Sequence, residues 1–130
     1  MRSFDASRDR SAPTTYEGIT LSGVPVAGSF ARRHLIVAAK PDCDGCRALL
    51  ESEASAFGPV PVLVVGAEAT DEPWWHESAL PVIISPSLMA ALDIRWPPFW
   101  VLVDGESGRV LNEGVPFGPE HIAKEIADLL

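Results

Sequence analysis

Cysteine is scarce in this chain of 130 residues, with two copies at positions 43 and 46. A bridge between them would close so short a loop that it would constrain the unfolded chain little, so the pair is no structural staple. A chain of this size can also build its own core without one. Lysine is scarce beside arginine, two against eight, and ten cations face eighteen carboxylates for a net charge of −8. With no cationic excess there is no basic patch to neutralise phosphates, which argues against a nucleic-acid partner. No run approaches the ~18 apolar residues of a membrane span. The first ten residues carry arginines with no apolar stretch behind them, so no signal peptide is written there. The expectation is a cytoplasmic protein, or an exported one if a signal or anchor has been removed. Glycine-rich phosphate loops and Ser-His-Asp patterns are also missing.

The hydrophobic fraction of 47% fits one globular domain. Residues 1–15 are polar and without periodicity and read as a mobile leader, leaving 16–130 as the domain. Ile19–Leu21 and Val24–Val26 flank Ser22-Gly23, a hairpin signal. His34–Ala39 is a short apolar run that suits a strand buried on both faces. From Cys46 to Phe57 the apolar residues fall at 46, 49, 50, 54 and 57, the stripe of a helix, which Gly58-Pro59 ends. Val60–Val65 reads as a second buried strand, and residues 66–78 as an acidic, aromatic segment with at most a short helix near Trp74-Trp75.

Pro81–Ile84 reads as a short strand. Ser85-Pro86 supplies an N-cap and a proline in the first helical turn. Phe99–Val103 and Arg109–Asn112 form a hairpin around Asp104–Gly108, and Gly118-Pro119 opens a last helix with Ile122 and Ile126 on one face. From residue 34 the main order is strand, helix, strand, helix, strand, strand, helix. It predicts an α/β fold: a mixed sheet with helices on both faces, in three layers.

The Cys43-Asp44-Gly45-Cys46 motif sits at a strand-to-helix junction. Two thiols at this spacing can cycle between dithiol and disulfide, and the same spacing also supplies half of a zinc site. Structural zinc takes four ligands, and the histidines at 34, 76 and 121 have no ligand spacing to supply the rest. Redox use is the better reading, with no metal and no bound cofactor.

The order of elements around this motif resembles the thioredoxin superfamily over residues 16–130. A second stretch carries the resemblance further. Leu92–Pro98 precedes the strand at Phe99, and Pro98 matches the cis-proline of thioredoxins. The hairpin before residue 34 and the extra segment between 66 and 84 look like the TlpA-type or MauD-type branch. The resemblance implies a thiol–disulfide oxidoreductase with Cys43 as nucleophile and Cys46 as resolving thiol. Gly45 would let the backbone bend between the two sulfurs. Pro98 and Pro97 would shape the substrate groove and Trp96 would line it, with Phe99 and Trp74 or Trp75 as further candidates for an aromatic rim. Partners would be a protein or small thiol/disulfide substrate and an electron-donating dithiol.

This chain departs from the family pattern in three ways. Val37 stands where thioredoxins often carry a buried acid, Pro41-Asp42 precedes the first cysteine, and Pro97 has a carbonyl but no N–H to offer a substrate. Asp42 and Asp44 flank Cys43 and disfavour its thiolate, while Arg47 and the helix terminus favour it. A strongly oxidising pair needs a very stable thiolate, so the expectation is a reducing or intermediate potential. The peroxiredoxin pattern is absent, since Lys40 and Ile36 stand at its Thr/Ser and Pro positions. The competing reading is a non-catalytic accessory or binding module on the same fold, one that matures or escorts a specific partner.

Overall fold

The computed structural model describes residues 10–130. Seven strands form one sheet: β1 (Thr15–Ile19), β2 (Pro25–Ser29), β3 (His34–Ala38), β4 (Val62–Gly66), β5 (Val82–Ile84), β6 (Phe99–Asp104) and β7 (Arg109–Gly114), in the order β2-β1-β5-β4-β3-β6-β7. Among the described residues four α-helices accompany them: α1 (Asp44–Leu50), α2 (Pro73–His76), α3 (Pro86–Ala91) and α4 (Pro119–Ile126). The sheet is mixed, because β3, β4 and β5 pair in parallel while β6, β7 and the β1–β2 hairpin pair antiparallel. This is the α/β three-layer architecture predicted from the sequence.

Strand alternation sorts the core into two halves. Leu35 and Val37 of β3 face a cluster with Cys46, Leu49, Leu50, Trp75, Trp100, Ile122 and Ile126, so α1, α2 and α4 cover that side. Ile36 and Ala38 face the opposite cluster with Leu88, Met89, Leu92 and Ile94, which α3 covers. β3 and β4 are buried along almost their whole lengths, as their unbroken apolar runs predict.

Ser85 anchors the hairpin to this frame. Its hydroxyl caps α3 by accepting from the Leu88 N–H at 3.2 Å and donates to the Glu17 carbonyl at 2.6 Å. Gly66 is required by packing, since a Cβ there would lie 2.8 Å from Cη2 of Trp75.

Two expectations change. The helix predicted through Phe57 stops at Leu50, and a separate 3-10 turn spans Ala54–Phe57. Ser52 closes the helix, with its N–H on the Leu49 carbonyl and its hydroxyl on the Ala48 carbonyl at 2.9 Å, a local competitor of helix propagation. Phe57 still reaches the core beside Ile122 and Ile126, while Ala54 is exposed.

The leader also ends earlier than residue 15. Ser11 bridges Arg109, the Ala12 N–H donates to Gly108, the Val110 N–H donates to Arg10, and the Arg10 guanidinium pairs with Glu113. Residues 10–12 thus line the edge of β7, and Thr15 already belongs to β1. Residues 1–9 of the predicted leader lie outside the described residues.

Candidate functional site

The sheet register brings three loops to one end. Ala38 of β3 pairs with Phe99 of β6, and Trp100 pairs with Gly114 of β7. The loop after β3 that leads to Cys43, the Trp96–Pro98 loop before β6 and the Val115–Gly118 loop after β7 therefore emerge side by side.

Cys43 is the N-cap of α1. Its backbone is extended, with φ −145° and ψ 111°, and its Sγ accepts the Cys46 N–H at 3.1 Å. A helix start has amide hydrogens without intrahelical partners, and here one of them points at sulfur. The side chain is half-buried, packed against the α1-side core but open to solvent. Cys46, one turn on, is fully buried. Burial, reinforced by its hydrogen bond to Cys43, pushes the Cys46 thiol up to about 12, although the Lys40 N–H contact at 3.4 Å works against the rise. The two sulfurs thus divide into an accessible one and a sheltered one that holds its proton. Val37 faces the same core as Cys46, so no carboxylate is offered from that position.

The Pro97–Pro98 peptide is cis, as the resemblance implied for Pro98. Pro98 lies over the motif: its Cγ would be 3.7 Å from a Cβ placed on Gly45. That is ordinary contact, and Gly45 sits in α1 without a positive φ. The backbone conformation therefore does not need glycine there, contrary to the role expected for Gly45.

A cavity of about 310 Å³ opens beside Cys43, lined by Pro41, Asp42, Cys43, Asp44, Arg47, Glu72 and Trp74. Arg47 is held by Glu51 one turn along the helix, Nε to Oε2 at 3.1 Å. Trp74 donates from Nε1 to Glu72 at 3.1 Å, and the Ser78 hydroxyl ties the segment after α2 to the Leu50 carbonyl at 2.7 Å. A second cavity of about 370 Å³ lies on the other side of Pro41, with Lys40, Met89, Ile94, Arg95 and Pro97 in its lining.

Cys43, Cys46, Asp42, Asp44, Arg47 and Pro98 thus share one site, and Pro97 borders the adjacent cavity. Trp96 is 84% exposed and lines neither cavity. Phe99 does not ring the cysteines, because alternation along β6 turns it to the α3 side while Trp100 takes the Cys46 side. Of the two adjacent tryptophans, Trp74 reaches the site and Trp75 packs under it on Gly66. Sequence reasoning missed Glu72. No local signal marks it, since only the docking of α2 on α1 brings it to Cys43.

The histidines are dispersed. His34 Nδ1 accepts from the Ala31 N–H at 3.1 Å, His76 bonds the Thr70 carbonyl at 2.7 Å, and His121 stacks edge-on with Phe117. Among the described residues no three His, Cys, Asp or Glu side chains cluster as metal ligands, and no helix is long and apolar enough to cross a membrane.

No protein-family model and no curated protein matches the chain. Solved structures do match. The thioredoxin domain of a thiol-disulfide oxidoreductase from Bacteroides vulgatus superposes with a TM-score of 0.70 at 16% identity, over 94% of this chain and 96% of that one. A secreted Mycobacterium tuberculosis disulfide oxidoreductase homologous to E. coli DsbE gives 0.64 at 17% identity, over 87% and 95%. An exposed lipoprotein thioredoxin of Streptococcus pneumoniae gives 0.64 at 18% identity, over 89% and 99%. At such identities the likeness is one of architecture, and by that architecture this chain has a thioredoxin-like fold.

Proposed function

We propose that the protein is a thiol–disulfide oxidoreductase that reduces protein disulfides through Cys43 and Cys46. The observation that carries this reading is the division of labour between the sulfurs. Cys43 is accessible and hydrogen-bonded at a helix start, and Cys46 is buried and protonated behind it.

The Cys43 thiolate attacks one sulfur of a substrate disulfide. The substrate S–S bond breaks, one substrate thiolate leaves, and a mixed disulfide remains. Cys46 then gives up its proton to water or another acceptor and attacks Cys43 Sγ. The second substrate thiolate leaves, and Cys43 and Cys46 end as a disulfide. Two electrons have passed to the substrate, and a partner dithiol must restore them. Trp96, Pro97 and Pro98 form the loop over which the substrate segment lies, and the carbonyl of Pro97 is its hydrogen-bond acceptor for the substrate backbone.

Asp42 and Asp44 beside Cys43, with Arg47 engaged by Glu51, support a reducing or intermediate potential. The pair should titrate nearer the roughly −270 mV of thioredoxin than the roughly −120 mV of a strong oxidant. The functional test is insulin reduction. Wild type should turn over, Cys43→Ser should not, and Cys46→Ser should accumulate a mixed disulfide. An inactive wild type, with Cys43 unreactive toward a small disulfide, would instead favour the non-catalytic binding module.

A further inference from the structure

We infer that the cavity beside Cys43 selects disulfides whose attacked cysteine is flanked by a cationic side chain. The inference rests on the oxidoreductase reading and names its substrate class.

The cavity opens onto Cys43, so its other lining groups meet the residues that flank a substrate sulfur on that side. Three of them are carboxylates, Asp42, Asp44 and Glu72. The one cation among the described lining residues, Arg47, is already paired with Glu51 at 3.1 Å. Among the described residues no other basic residue lines the cavity. The charge an incoming side chain meets is therefore negative, and it lies at the point of attack.

Trp74 supplies the apolar wall. It is 7% exposed, and its indole N–H is fixed on Glu72, so ring and carboxylate are presented together. A lysine or arginine satisfies both: its aliphatic stem packs on the indole and its charged head meets the carboxylates. A glutamate at the same place would meet the like charge of the three carboxylates. The Trp74 wall stands on α2, in the connection between β4 and β5, and not on the cysteine-bearing loop.

The test uses the pre-reduced protein and two cyclic disulfide peptides that differ only in lysine or glutamate on either side of one cysteine. Each rate is divided by the rate of the same peptide with dithiothreitol, which removes its intrinsic reactivity. The lysine-to-glutamate ratio should be about tenfold in about 20 mM salt and fall toward one in about 500 mM salt, where such interactions are screened. Glu72→Gln and Asp42→Asn should each lower the ratio roughly two- to threefold. A ratio between peptides is immune to a change in the potential of the cysteine pair. Glu125→Gln removes the same charge from an exposed position on α4 and should leave the ratio unchanged. A ratio near one, an inverted ratio, or an equal drop in Glu125→Gln would overturn local selection while leaving the oxidoreductase intact. Failure to reduce either peptide would remove the oxidoreductase reading and this inference with it.

Discussion

Cys46 sets the chemistry available at the scale of single residues. Its thiol is pushed up to about 12 by burial and by the Cys43 contact. On the proposed mechanism the resolving step near neutrality must first remove that proton, so decay of a mixed disulfide should speed up about tenfold per pH unit while the thiol stays protonated. Stopped-flow tryptophan fluorescence of the pre-formed mixed disulfide between pH 6 and 9 checks this, and a flat profile would show an internal base. The same shift makes the reduced protein alkali-sensitive. A raised thiol pKa contributes stability that is complete below the unfolded value of 9.0 and lost as pH rises toward the folded value. The urea midpoint of the reduced form should therefore fall above pH 9, and Cys46→Ala should flatten that slope. Gly45 offers the opposite kind of test. With no positive φ and only a 3.7 Å neighbour, Gly45→Ala should fold normally and gain about 0.5 kcal/mol from helix propensity in urea denaturation.

At the scale of elements, small α2 and the β1–β2 hairpin are held by few but specific contacts. Gly66→Ala would drive a methyl to 2.8 Å from Trp75 and should cost about 1–3 kcal/mol by overpacking. A change in tryptophan fluorescence should accompany the loss, because Trp75 sits under Trp74 at the site. Ser85→Ala removes both the cap of α3 and the tie to Glu17. It should cost about 1–2 kcal/mol, read as a shift of the denaturation midpoint. The Ser85 cap is legible as a Ser-Pro pair before an apolar stripe. The tie to Glu17 is not, since it joins residues 68 apart in sequence. The early stop of α1 has the same character. Its apolar spacing continues to Phe57, but Ser52 and the packing of Phe57 on α4 decide the boundary.

Across the whole molecule, acid should loosen the fold at one corner. His34 is half-buried at the start of β3, where burial holds its pKa below 6.5, and its Nδ1 accepts the Ala31 N–H. A depressed pKa contributes stability that is present above the unfolded value and lost as pH falls through the folded one. Nearby Asp104 behaves alike from a lower starting point. Burial acts to raise its pKa, but the Glu106 and Ser107 amides and the Arg33 guanidinium at 3.2 Å outweigh that and hold it below 3.8. Stability should thus begin to fall below pH 6.5 and fall further below pH 4, measured as urea midpoints. His34→Asn should remove the upper part of the loss and spare the lower.

The sequence alone determined the class of the fold and the cysteine pair on which the proposed function rests. Buried strands show themselves as unbroken apolar runs, helices as stripes, and turns as Gly, Pro and Asp clusters, all of which are local signals. Cys43 and Cys46 share a turn of helix, so spacing was enough to place them together. Only the tertiary structure decided what surrounds them. It set Pro98 against Gly45, turned Phe99 away and Trp100 inward, left Trp96 in solvent, and brought Glu72 and Trp74 to the cavity beside Cys43. Those choices depend on sheet register and on how α2 docks against α1. Both are fixed by packing between segments far apart in the chain, where the spacing of residues carries no record of the contact.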